Sequence, residues 1–453
     1  MTASPAAPPA EAAPDVASPF DAAAVAAGVR AAQRALGAAP GARRTAVLRA
    51  LEEILEERAA EILEANQLDL DEAERTGLEK PLLKRLKLDA DKLEVLRDGV
   101  RQLAEVPDPV GVMKRHTQLD DGLVLRQVQS PLGVLLIIFE SRPEAVIQIG
   151  ALALRAGDGV ILKGGAEATA SNRVLVGCLR DALARCELPS DAVAGVEGRE
   201  AVAALLDQEA HIDLVIPRGS GSLVRHIQSS TRIPVLGHAE GVCHLYLDGS
   251  ADPAMAAKLA VDGKCDYPAA CNATETVLVD RAFLPHFPAV AEALRDAGVE
   301  LRCDPESQAA APFTAAVDKI DWRTEYGDLI AGVAVVDGLD GAIEHIHRYG
   351  SGHTEAIVAD DAHVAEAFLA RVDSASVFHN ASTRFADGFR YGLGAEVGIS
   401  TGRIHARGPV GIDGLLTTRW LLTGTGQGAG DYGPGKRAFQ HLTLPTSGAD
   451  AGD

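Results

Sequence analysis

Positive charge is scarce in this chain: 43 Lys and Arg face 64 Asp and Glu over 453 residues, a formal net charge of −21. That deficit excludes an extended nucleic-acid or anionic-membrane surface, since both need basic patches. It does not exclude an anionic small substrate, which needs only a local positive site. Long apolar runs are also missing; none approaches the ~18 residues that span a bilayer. Cysteine is thin, six residues at the irregular positions 178, 186, 243, 265, 271 and 303. That is no disulfide framework, so reduced thiols and a cytoplasmic location are expected. The N-terminus lacks the basic start and apolar stretch of a secretory signal and the Arg of a transit peptide. Residues 1–20, rich in Ala and Pro and carrying Glu11 and Asp15, read as a disordered tail; residues 437–453 read as a second tail. Internal repeats are absent too.

What is present is a globular composition, 47% hydrophobic and 24% charged, of a length that suggests about three domains. Two amphipathic helices are predicted, over Ala42–Glu64 and Leu82–Leu103, the second stopping before Pro107 and Pro109. Leu123–Gln129 reads as a strand. Gly133–Phe139 has no polar side chain, the mark of a strand buried on both faces of a parallel sheet. Helix to Ala156, strand Gly159–Lys163, helix Ala166–Cys186 and strand Ile212–Ile216 follow. This βαβαβ run predicts a doubly wound nucleotide-binding unit. A second α/β unit follows Pro253, with strands near 275–279, 331–337, 355–359 and 376–378.

Several residues could carry chemistry. The literal G-x-G-x-x-G at Gly428, Gly430 and Gly433 has neither a buried strand before it nor a helix after it, and is set aside. Gly219-Ser220-Gly221-Ser222 does sit between a strand and a helix, where exposed amides attract phosphate; the alternative is an ordinary Gly-rich turn. Lys163 ends a buried strand, at the sheet edge that lines ligand crevices; the alternative is a lysine reaching for water. A lone Cys is usually an inert small hydrophobe. Cys271 differs by its polar loop, Asp266–Asn272, and Cys265 is its rival thiol. His345 and His347, two apart on a predicted helix, point to different sides, and no C-x-x-C pair exists, so no metal site is predicted. Arg384 and Arg390 lie in a Ser/Thr/Arg loop that could clamp a carboxylate.

These segments resemble the aldehyde dehydrogenase superfamily and, within it, the γ-glutamyl phosphate reductase (glutamate-5-semialdehyde dehydrogenase) family. The resemblance rests on Ser130–Pro143, Leu162–Gly165, Ile216–Ser222, Asp266–Glu275, Tyr349–His353, the Asn380–Arg384 loop and Ala395–Ser400, and spans about Ala22 to Gln427. It implies an aldehyde dehydrogenase-like α/β fold: two doubly wound α/β domains and a small β oligomerisation element. A cofactor-binding domain would comprise 21–112, 131–254 and 375–400, a catalytic domain 255–374, and the oligomerisation element 113–130 and 401–436. The implied reaction is NADPH-dependent reduction of L-glutamyl 5-phosphate to L-glutamate 5-semialdehyde with phosphate release, in proline biosynthesis. Cys271 falls at the nucleophile, with Ser141 where the superfamily has an oxyanion-holding Asn. Lys163, Gly219, Ser220 and Glu325 fall at cofactor contacts. Arg142 would neutralise the departing phosphate, and Arg384 or Arg390 would hold the α-carboxylate. Hydrolytic members carry a water-activating Glu where this chain has Leu236, with Glu240 four residues later. A missing water base suits a thioester meant for hydride. A homo-oligomer is implied, since unpaired β segments would leave sheet edges open, and a contact with glutamate kinase stays open. The alternatives are an oxidising NAD(P)-dependent semialdehyde dehydrogenase or a non-catalytic nucleotide-binding scaffold.

Overall fold

The computed structural model describes residues 20–393 and 395–446; the tail expected over 1–20 lies almost wholly outside them. An N-terminal helical layer comes first: Ala22–Ala38, Gly41–Glu57, Ala59–Arg75, Lys80–Leu86 and Ala90–Glu105. Asp21 caps the first helix by accepting the Ala24 N–H, and Asp89 caps the last through Lys92. Both predicted helices are therefore broken. Arg58 leaves helical geometry (φ −102°, ψ 13°) and turns its guanidinium to Glu61 and Asp181. Lys87–Asp89 form a linker whose Asp starts a new helix.

This layer covers a four-stranded parallel sheet in the order Val193–Gly195, Gly159–Lys163, Val134–Phe139, Leu214–Arg218. Val134–Phe139 is buried along its whole length, at most 3% exposed. Helix Glu144–Ala156 packs behind it, with ten of its residues apolar or Gly and buried on nearly every side. Each fully buried Leu or Ile there contributes roughly 1.5–3 kcal/mol.

A second, seven-stranded parallel sheet runs Ala315–Ala316, Glu300–Cys303, Ile330–Val336, Thr274–Asp280, Cys243–Leu247, Thr354–Val358, Ser376–His379. Two expected boundaries move as a result. Residues 243–247 and 376–379, which the resemblance assigns to the cofactor-binding domain, pair inside the other sheet; for 376–378 this agrees with the strand pattern, whereas 243–247 is not among the expected strands. A short, fully buried parallel strand carries no mark of which sheet will receive it.

The third unit is a four-stranded antiparallel sheet, Leu416–Thr423, Leu123–Pro131, Met113–Asp120, Leu442–Thr443. Its last strand corrects the expected C-terminal tail: Thr443 and Leu442 pair with Thr117 and Gln118. Among the described residues no helix is long and apolar enough to cross a membrane.

Candidate active site

Cys271 sits on the loop between helix Pro253–Cys265 and strand Thr274–Asp280. It is partly exposed and lines a cavity of about 740 Å³, together with Gly219, Ser220, Glu325, Ser141, Arg142 and Arg384. The thiol thus faces the same cavity as the Gly219 turn. Its loop is held from several sides. Asn272 donates to the carbonyls of Ala386 (2.9 Å) and Arg384 (3.5 Å). The Cys271 carbonyl accepts from the buried Cys243 thiol at 3.3 Å. Gly241 packs so close that a Cβ there would lie 1.9 Å from the Cys271 carbonyl oxygen. Among the described residues the backbone N–H groups of Cys271 and Asn272 make no hydrogen bond, leaving donors beside the sulfur.

Cys265 does not line this cavity, and partial burial pushes its thiol pKa up. Burial also pushes the Cys243 thiol up. All six cysteines are free.

Arg142 faces the cavity with Arg85 and Arg218, two arginines that sequence reasoning missed. Burial lowers the Arg142 pKa from its ordinary value, and the neighbouring Arg218 and Arg85 charges lower it further. Among the described residues neither Arg142 nor Arg85 makes an ion pair, and the nearest carboxylate oxygen to Arg218 belongs to Glu396 at 3.7 Å. Three guanidiniums without a close carboxylate partner make a candidate anion site, although Glu140, Glu167, Glu325, Asp387 and Glu396 line the same cavity.

The two candidate carboxylate clamps separate. Arg384, 8% exposed, lines the cavity; Arg390 does not. Both bind Asp266 Oδ2, at 3.2 and 2.9 Å, and Arg390 also donates to the Arg384 carbonyl at 3.0 Å. Those bonds, that of Arg390 first, hold the Asp266 carboxyl below its usual range. Arg390 therefore braces the turn that presents Arg384.

Ser141 reaches the cavity wall in a left-handed conformation (φ 44°), but its hydroxyl is committed. It donates to Glu167 Oε1 at 2.7 Å, and its backbone N–H donates to the same oxygen at 2.6 Å. In this arrangement the hydroxyl cannot also donate to an oxyanion. Glu325 accepts the Gly241 N–H at 2.8 Å. Leu236 is buried (2% exposed), and Glu240 pairs with Arg225 and does not line the cavity. The position of the water base is therefore held by an apolar side chain, and the Glu240 carboxylate is turned to Arg225 outside the cavity. His238 lines the cavity as well, with its pKa lowered by burial above all.

A second cavity of about 840 Å³ opens beside Lys163, Gly164, Gly165 and Arg199. Burial lowers the Lys163 pKa. Its size suits a nucleotide. Lys163, Arg199 and the carboxyl ends of strands Gly159–Lys163 and Val193–Gly195 line it. A Cβ at Gly219 would meet Glu140 Oε2 at 2.4 Å and Leu223 Cδ2 at 2.8 Å, both ends of side chains that would have to shift. The Ser220 N–H donates to Glu140 Oε2 at 2.9 Å, so a carboxylate already sits at that helix start.

The aldehyde dehydrogenase family profile matches residues 10–325, and the chain belongs to that family. Among its relatives, Gamma-glutamyl phosphate reductase of Synechococcus sp. (strain CC9902) is 52% identical over 406 residues, covering 89% of this chain and 93% of that one. The enzyme of the same name from Cyanothece sp. is 51% identical over 403 residues, covering 88% and 93%. The crystal structure of Gamma-glutamyl phosphate reductase from Thermotoga maritima superposes with a TM-score of 0.87 at 36% identity, covering 90% of this chain and 99% of that one. Half-identity over nearly all of both chains puts this protein in the γ-glutamyl phosphate reductase branch of the family.

Proposed function

We propose that this chain reduces L-glutamyl 5-phosphate to L-glutamate 5-semialdehyde with release of phosphate, using NADPH, as the second step of proline biosynthesis from glutamate. One observation carries the reading: a partly exposed thiol shares its cavity with three weakly compensated arginines and a separate, braced fourth. Cys271 supplies the nucleophile, as its thiolate. The thiolate attacks the acyl carbon, and the C–O bond to phosphate breaks as the C–S bond of a thioester forms. The free N–H groups at Cys271 and Asn272 receive the oxyanion. Arg142, with Arg85 and Arg218, takes the charge of the leaving phosphate. Arg384, held by Asp266, grips the α-carboxylate. NADPH, held through Lys163 and Glu325 when bound, supplies the hydride that turns the thioester into a hemithioacetal. Collapse of that adduct frees aldehyde and thiolate. Leu236 at the water-base position keeps the thioester from hydrolysis, which speaks against the oxidising alternative.

We place the enzyme in the cytoplasm, where a nucleophilic thiol stays reduced. We also propose a homo-oligomer built on the antiparallel sheet, whose edge strand Leu416–Thr423 exposes Trp420 and Leu422. A hand-over contact with glutamate kinase belongs to the same proposal. Cys271→Ala should abolish phosphate-dependent reduction of NADP⁺ by glutamate semialdehyde while NADPH binding persists. Since loss of a nucleophile costs many orders of rate, more than ~1% residual activity would overturn the assignment.

A further inference from the structure

Two histidines remote in sequence close on the Cys271 sulfur. His353 ends the loop after helix Gly338–Tyr349, immediately before strand Thr354–Val358. His238 comes from the segment that precedes strand Cys243–Leu247. One ligand atom from each of His238, Cys271 and His353 lies within 4.8 Å of the other two. The two rings meet edge to face at 76°, with centroids 4.8 Å apart. Each ring is oriented by its Nδ1: that of His238 bonds the Ile399 carbonyl at 2.8 Å, that of His353 the Thr354 hydroxyl at 2.7 Å. The Nε2 atoms remain. His353 is only 1% exposed, and its Nε2 is buried with no hydrogen-bond partner among the described residues. A buried ring nitrogen left without a partner asks for a ligand.

We propose that Cys271, His238 and His353 form a site for a thiophilic divalent cation, Zn²⁺ being the representative, whose binding reversibly blocks the enzyme. Two imidazoles and a thiolate are the donor set of three-ligand zinc centres, with the fourth position left to water. Metal–ligand lengths of about 2.0–2.3 Å put such donor atoms roughly 3.3–3.8 Å apart. The observed spread of 4.8 Å closes to that by about an ångström of side-chain movement. On binding, the thiol loses its proton to solvent, a sulfur–metal bond forms, and no redox change occurs. Hard cations such as Mg²⁺ prefer oxygen donors and are excluded. Inhibition rests on Cys271 being the nucleophile; the binding does not.

The test uses the full chain, first stripped with chelator. Zn²⁺ should bind in one equivalent and protect Cys271 from iodoacetamide, with chelator restoring the labelling and Mg²⁺ without effect. Co²⁺ should give a thiolate charge-transfer band that Cys271→Ser removes. His238→Gln and His353→Gln, checked for folding by thermal melting, should each weaken Zn²⁺ protection by at least ~10-fold. His238→Gln decides the matter if the buried His353 variant does not fold. Unprotected Cys271 in the parent chain overturns the proposal, as does protection equally strong in the folded histidine variants. Absence of phosphate-dependent turnover in the metal-free chain, with Zn²⁺ binding intact, would instead count against the reductase reading.

Discussion

Gly241→Ala should disable the enzyme without unfolding it. Gly241 does not adopt a left-handed conformation, so an added methyl brings contact and no backbone strain. The contact is severe: the new Cβ would lie 1.9 Å from the Cys271 carbonyl oxygen and 2.6 Å from its C and Cα, all backbone atoms. Ordinary van der Waals contact begins at 3.4 Å, so the two loops must separate by about 1.5 Å. Misplacing a reacting group by ~1 Å can cost ~100-fold in rate, or about 2.7 kcal/mol of barrier. Single-turnover oxidation of NADPH by the acyl phosphate should therefore slow by ~100-fold or more. NADPH affinity should fall far less than the rate, because Lys163 lies in the other cavity and only the Gly241 N–H bond to Glu325 is disturbed on the cofactor side. A folded variant that keeps its rate within ~3-fold, with unchanged labelling of Cys271, would refute the claim that this close approach positions the nucleophile.

Three further perturbations separate the parts of the site. Arg142→Gln removes one charge-assisted partner of phosphate, worth ~1.5–3 kcal/mol, so the KM for inorganic phosphate in the oxidative direction should rise ~10–100-fold with NADPH affinity unchanged. Lys163→Ala should weaken NADPH binding by ~10-fold in a fluorescence titration while kcat at saturating cofactor holds. Lys264→Met leaves Glu275 without its 2.8 Å partner in a place where they are 1% and 0% exposed, and should cost ~3–5 kcal/mol in urea unfolding near pH 8. That loss should shrink towards pH 5. Burial already lifts the Glu275 carboxyl to about 7 against Lys264's opposing pull, and removing the lysine lifts it further. With the folded pKa above the unfolded one, the unfolded chain binds fewer protons across that window, so stability falls as pH rises and recovers below it.

Periodicity and apolar runs made the parallel strands and most helices readable. Val134–Phe139 announces itself because burial on both faces removes every reason for polar alternation, whereas Thr274–Asp280 shows only the short apolar run Val277–Val279 after buried polar residues. Cys271 was legible from its polar loop together with the resemblance. Other features depend on distance in space and leave no local trace. Arg85 looks like any helical arginine until the chain folds it against Arg142 and Arg218. Ser141 reads as a free hydroxyl until Glu167 takes it. His238 and His353 sit in unremarkable loops, whereas His345 and His347, which looked like a pair, share one helix and point apart. Strand 376–379 was readable and fell in the second unit, whereas 243–247 was missed, and only its pairing with strands 274–280 and 354–358 reveals it.

The acidic composition and the anionic substrate conflict only in appearance. On the surface, guanidiniums are consumed by carboxylates: Arg97 holds Glu52, Glu56 and Glu94, Arg101 holds Glu52 and Asp98, and Arg185 holds Glu53 and Glu57. Charges farther away than ~8 Å are largely screened at physiological ionic strength, so that outer shell acts weakly on a ligand inside the cavity. The cavity works in the opposite sense. Arg142 sits where burial and two like charges work against its protonated form. An entering phosphate relieves that repulsion in a region of low dielectric, where the interaction is stronger than at the surface. Net charge therefore excludes an extended basic face, whereas the proposed recognition of phosphate rests on Arg142 and Arg85, which make no ion pair among the described residues, with Arg218 3.7 Å from Glu396 and Arg384 held by Asp266.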